Sequence, residues 1–149
     1  MEIKKIMVPV DFSEVAPIVC KWAKSLAKKL EADLIIVYVL EDLSTYEGIY
    51  VDLKTLSDLE KTLFEGAKKS MEDFVKTHFA DFKNVETIIV KGDIVEKIIA
   101  TAEEKKADLI VMGTHGRKGI DKILFGSVAE GVVKNSPVPV VTINPYKIK

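Results

Sequence analysis

The sequence holds a single cysteine, Cys20, so no disulfide can form within the chain, in keeping with a reducing compartment. Two histidines, His78 and His115, are the only others of the zinc-favoured N and S ligands, and their wide separation gives no zinc-site spacing. Basic residues do not outnumber acidic ones: 22 stand against 23, a net charge of -1. Such a balance lacks the positive footprint of general nucleic-acid or membrane-surface binding. There is no run of about 18 apolar residues to cross a bilayer. The opening stretch as far as Ser13 has too short an apolar run for a signal peptide, since Asp11 interrupts it. The expected location is the cytoplasm. Glutamine is absent, and Arg117 is the only arginine among the 22 basic residues, a leaning towards lysine shared with heat-adapted proteins.

What is present is a core-forming composition, 48% hydrophobic over 149 residues, which suits one domain with no linker or composition shift. Short apolar runs alternate with helical periodicity. Strands are expected at Ile6 to Val10, Leu34 to Leu40, Val85 to Val90, Leu109 to Met112 and Val138 to Ile143. Between them, Ser13 to Leu30 spaces Val15, Ala16, Val19, Trp22, Ala23, Leu26, Ala27 and Leu30 as one apolar helical stripe. Glu41 to Lys54, with Tyr46, Gly48 and Tyr50, has no period and reads as a long loop or lid. A helix is expected from Ser57, spaced from Glu60 as a capping box, to Phe79. Another runs from Asp93 to Lys106, and a short one from Ser127 to Asn135. Alternating strands and helices imply βαβ units and a mostly parallel sheet. Pro137 and Pro139 place the last strand at a sheet edge, because proline donates nothing to the ladder. Its short apolar edge, Val138 to Ile143, invites cover by a second copy of the chain.

Ligands of open α/β sheets bind beyond the carboxyl ends of strands where the strand order reverses. Two strand ends carry unusual residues: Pro9-Val10-Asp11-Phe12-Ser13 after the first, and Met112-Gly113-Thr114-His115-Gly116-Arg117 after the fourth. Gly113 and Gly116 allow close backbone approach, while Gly126-Ser127 opens a helix whose free N–H groups and dipole attract anions. Arg117 and Lys118 add positive charge, and arginine can grip two phosphate oxygens at once. The spacing of Gly113, two residues, Gly116, nine residues and Gly126-Ser127 therefore describes a polyphosphate cradle.

This pattern resembles the ATP-binding branch of the universal stress protein family, and the likeness runs over nearly the whole chain. It takes in Val8 to Ser13, Val37-Tyr38-Val39, Gly92-Asp93 and the closing Ser136-Pro137-Val138-Pro139-Val140-Val141. The resemblance implies an open five-stranded parallel sheet in the order 3-2-1-4-5 with helices on both faces, Rossmann-like and of the adenine nucleotide alpha hydrolase type. It implies homodimers joined through the last strand and a regulatory, stress-response role. It also implies that Asp11 bonds the ribose or adenine side, that Pro9, Val10 and Val39 line the adenine pocket, and that Met112 and Gly113 lie beneath the nucleotide. His115, Gly116, Arg117, Gly126, Ser127, Val128 and Ala129 would surround the phosphates.

Plainer readings stand beside these. Asp11 can be a turn or cap residue, His115 and Arg117 ordinary surface residues, and the glycines simple turn formers. Ser127 and Glu130 have capping-box spacing, which leaves neighbouring N–H groups available to an anion. His78 and Cys20 read as structural. The functional alternatives are a slow or partner-dependent ATPase and a dimeric interaction protein without nucleotide. No GxxxxGK[ST] loop is present and no GxGxxG follows the first strand. No paired carboxylates stand near the loop, so any hydrolysis is expected to be slow. Mg²⁺ or Mn²⁺ would accompany a triphosphate, held more by phosphate oxygens and water than by protein.

Overall fold

A computed structural model describes residues 1–44, 52–116 and 125–148. The elements run β1 (Lys5–Pro9), α1 (Ala16–Leu30), β2 (Asp33–Leu40), α2 (Leu53–His78), β3 (Val85–Lys91), α3 (Ile94–Glu104), β4 (Leu109–Gly113), α4 (Ser127–Asn135) and β5 (Val140–Ile143). The five strands form one sheet in the order β3-β2-β1-β4-β5, and every neighbouring pair is parallel. This is the arrangement the resemblance implied.

The apolar runs of β1, β2 and β4 are buried on both faces, which is why they read as continuous rather than alternating. Alternate residues divide between two cores. On one face Ile6, Val8, Leu34, Ile36 and Val111 meet Val19, Cys20, Ala23 and Ala27 of α1 and Met71 and Phe74 of α2. On the other, Met7, Ile35, Val37, Ile110 and Met112 meet Ile98 and Ala102 of α3 and Ala129 and Val132 of α4. Gly131 lets α3 and α4 pack closely, since a Cβ there would lie 2.8 Å from Val95 Cγ2.

The repeated sequences Ala32-Asp33-Leu34 and Ala107-Asp108-Leu109 perform one task twice. Glu31 and Lys106 each adopt a left-handed φ of 54°. The following alanine then donates its N–H back to the helix, Ala32 to the carbonyl of Ala27 at 2.9 Å and Ala107 to that of Ala102 at 2.8 Å. Asp33 then starts β2 and Asp108 immediately precedes β4, their N–H groups donating to the carbonyls of Lys4 and Lys5 respectively.

Several boundaries differ from expectation. α1 starts at Ala16, with Pro17 in its first turn, rather than at Ser13. α2 starts at Leu53, inside the stretch read as loop, because Asp52 supplies the cap and accepts from the Thr55 N–H at 2.7 Å. Ser57 and Glu60 are interior helix residues; Glu60 bonds Lys91 Nζ across to β3 at 2.7 Å. Tyr46, Gly48 and Tyr50 lie outside the described residues. Asp93 does cap α3, accepting from the Glu96 N–H at 2.9 Å. Trp22, counted in the α1 stripe, is 44% exposed, since a stripe wider than the groove beneath it leaves its margin in solvent. β5 lies at the edge as the prolines indicated, but begins at Val140, after both prolines.

Candidate functional site

β1 and β4 are neighbours in the sheet, yet the crossovers from β1 and from β4 lead in opposite directions. Their carboxyl ends therefore flank the crevice where the strand order reverses. Past β1, the Val10 N–H still donates to the Val37 carbonyl at 2.9 Å, and the chain then turns sharply. Phe12 takes a left-handed φ of 57°, a costly conformation for an aromatic residue. Its ring is held by Tyr38 at 4.6 Å and Phe74 at 5.6 Å between centroids. The turn brings the Asp11 carboxylate onto the Ser13 N–H, which donates to it at 3.0 Å. The buried Ser13 hydroxyl has no hydrogen-bond partner among the described residues.

Past β4, the Thr114 N–H donates to the Ile143 carbonyl at 2.8 Å, which extends the pairing with β5. The Thr114 carbonyl accepts from the Gly126 N–H at 2.7 Å and so ties the strand end to the start of α4. Gly116 packs directly on Asp11: a Cβ at Gly116 would overlap Asp11 Oδ2. At Gly126 a Cβ would stand 3.0 Å from the Thr114 carbonyl. Glycines at both positions are thus needed for approach.

Gly126 is also the N-cap of α4, with Ser127 the first helical residue. This corrects the capping-box reading, in which Ser127 was the cap. The Glu130 carboxylate turns instead to Lys134 one helical turn on. A glycine cap has no side-chain acceptor, so the first-turn amides receive none from it.

The sequence-chosen residues divide by environment. Asp11, Gly113, Gly116 and Gly126 gather at the crevice. Val10 is buried on the α1/α2 face, whereas Val39, Met112 and Ala129 are buried on the α3/α4 face, with Val128 partly buried beside them. Pro9 is half-buried and Ser127 exposed. His115 is not a surface residue: it is 6% exposed, with Nδ1 2.7 Å from Thr114 Oγ1 and its ring edge-on to Tyr146 at 5.3 Å. Arg117, with Lys118, lies outside the described residues. Sequence reasoning passed over Phe12, Thr114 and Tyr146. The first two sat inside quoted motifs and could have been found there, whereas Tyr146 belongs to no pattern. Among the described residues no group of three His, Cys, Asp or Glu side chains is placed to hold a metal ion.

The model of the universal stress protein family matches residues 2–144. The chain belongs to that family. Universal stress protein MJ0531 of Methanocaldococcus jannaschii is 36% identical over 146 residues, covering 97% of this chain and 84% of the relative. Universal stress protein MJ0577 of the same organism is 34% identical over 154 residues, with 94% of each chain covered. The solved structure of MJ0577, determined to assign a biochemical function, superposes with a TM-score of 0.83 over 97% of both chains. A universal stress protein of Archaeoglobus fulgidus solved with dAMP shares this fold at 23% identity and a TM-score of 0.66.

Proposed function

We propose that this universal stress protein is an ATP-binding regulatory module of the ATP-binding branch, with nucleotide seated at the carboxyl ends of β1 and β4. The observation that carries this reading is the meeting of Asp11 and Gly116 beside the glycine-capped start of α4. A carboxylate only accepts hydrogen bonds, so Asp11 suits ribose hydroxyls or an amino group and would repel phosphate. The Gly126 N–H is spent on the Thr114 carbonyl, so the main-chain N–H groups of Ser127, Val128 and Ala129, aided by the helix dipole, are the ones that suit phosphate oxygens. The two chemistries lie side by side, as a nucleotide requires.

The residues present fit the cofactor. Gly116 and Gly126 lie against Asp11 and the Thr114 carbonyl with no room for a side chain, which leaves bare backbone at the crevice, and the Ser13 hydroxyl beside Asp11 lacks a partner among the described residues. The proposal assigns apolar surface for adenine to Pro9 and to Val10 and Val39, which come from opposite faces of the sheet, the floor to Met112 and Gly113, and the phosphate side to His115 and to Arg117, the last outside the described residues. Mg²⁺ or Mn²⁺ would accompany the triphosphate, held more by phosphate oxygens and water than by protein. A cytoplasmic homodimer joined along β5 completes the proposal. Val141 on that edge strand is 37% exposed, an apolar edge that a second copy would cover.

Titration calorimetry of nucleotide-stripped protein with ATP, ADP, AMP and GTP tests the reading. Uptake of adenine nucleotides in preference to GTP is expected. Protein that takes up none of them at millimolar concentration eliminates both the regulatory and the ATPase readings and leaves a dimeric interaction protein.

A further inference from the structure

The chain does not stop at β5. Asn144 Oδ1 accepts from the Tyr146 N–H at 3.0 Å, and the Asn144 carbonyl accepts from the N–H groups of Lys147 at 3.3 Å and Ile148 at 3.1 Å. Ile148 packs on the α1/α2 core, which closes the turn at its far end. This turn holds Tyr146 with its ring edge-on to His115. His115 in turn lies between Thr114, pinned by β5 on one side and α4 on the other, and Gly116, which faces Asp11.

We propose that this C-terminal turn is a positioning element for the phosphate side of the site, and that Tyr146 acts through His115 to set the affinity for a nucleoside polyphosphate over a bare nucleoside. The inference rests on the nucleotide reading above. Nδ1 of His115 meets the Thr114 hydroxyl at 2.7 Å and the ring packs edge-to-face with Tyr146, so both neighbours bear on its orientation. The carbonyl of His115 folds back to within 2.9 Å of where a Gly113 Cβ would be, so the backbone there has little slack. A change in how the ring packs bears on this tight stretch of backbone, which includes the peptide that joins His115 to Gly116 on the phosphate side. The nucleoside side, at Val10 and Asp11, has its own support in the Phe12, Tyr38 and Phe74 rings.

Tyr146→Ala, Tyr146→Phe and Asn144→Ala test this in the full chain by calorimetry with ATP and adenosine, together with NMR of the His115 ring protons. Tyr146 is 39% exposed, so its truncation leaves a folded domain. An aromatic pair of this kind shifts an equilibrium by about two- to tenfold. Tyr146→Ala is expected to weaken ATP by that factor, to hold adenosine within about twofold, and to move the His115 ring resonances. Tyr146→Phe is expected to restore all three, and Asn144→Ala to weaken ATP part-way. Equal loss of ATP and adenosine in Tyr146→Ala, unchanged ATP affinity in that variant, or no rescue by phenylalanine overturns the inference while the nucleotide site stands. Wild-type protein that takes up no ATP overturns both.

Discussion

Gly116→Ala puts one methyl group where the Asp11 carboxylate now lies. The intended Cβ position overlaps Asp11 Oδ2, so the carboxylate or the loop must give way. Asp11 is tethered to the Ser13 N–H at 3.0 Å, and swinging aside breaks that bond. A hydrogen bond to a charged acceptor contributes about 1.5–3 kcal/mol. Asp11 is only half-buried, so water replaces part of the bond and about 1 kcal/mol of stability is lost. In a domain of this size that lowers Tm by about 2–4 °C. On the proposed nucleotide reading the effect on ligand is larger, because the methyl group would both displace the ribose acceptor and narrow the phosphate approach. Two disturbed contacts at about 1 kcal/mol each correspond to roughly a thirtyfold loss of ATP affinity. Calorimetry with ATP beside a thermal melt measures both effects. A Gly116→Ala protein that binds ATP within twofold of wild type, while Asp11→Ala loses it, would refute the argument that these two residues share one ligand surface.

Four other outcomes are expected. Lys106→Gly relieves a left-handed φ of 54° and should stabilise by about 0.5 kcal/mol after the entropy cost of glycine, seen as a Tm raised by about 1–2 °C; a lower Tm contradicts the strain assigned there. Burial pushes the Cys20 thiol up to about 12, so iodoacetamide at pH 8 should leave the folded protein unlabelled by mass spectrometry and label it once denaturant is added. Hydrogen bonds from Lys24 and Lys28 hold the Asp81 carboxyl well below the usual carboxylate range. A depressed folded-state value adds stability that is present above pH about 4 and is lost as pH falls through the acid range, so Lys24→Met with Lys28→Met should flatten the decline of Tm between about pH 4 and 2. If the proposed dimer forms along β5, Val141→Asp puts charge on that exposed edge and should yield monomer in sedimentation runs; an unchanged sedimentation coefficient counts against that interface.

Much of this was legible in the sequence because one-dimensional patterns control it. Runs such as Leu34 to Leu40 must be buried on both faces, and the helical stripes between them fix the alternation. Glycines at 113, 116 and 126 pointed to a crevice for a related reason: residues without side chains mark where atoms come close. The errors share a cause too. Ser57 with Glu60 and Ser127 with Glu130 both satisfy a capping template, yet Asp52 and Gly126 are the caps, and sequence spacing does not say which candidate the chain geometry selects. Val138 is as β-branched as Val140, but Pro139 between them cannot join the ladder through an N–H, so pairing waits for Val140. The burial of His115 was not legible at all, and one of the groups packed on it, Tyr146, is more than thirty residues away.

Asp108 has a consequence for how the molecule is made. Its Oδ2 accepts from the main-chain N–H groups of Lys4 and Lys5, at 2.8 and 2.9 Å, across a sequence separation of 104 and 103 residues. The strand those lysines begin is the innermost of the sheet, so on a ribosome it emerges early and keeps one bare edge until the fourth strand arrives. In the folded sheet that edge, with Ile6 and Met7, is the one β4 covers. Closing that seam joins residues more than a hundred positions apart, a contact that vectorial synthesis leaves until Asp108 has been made.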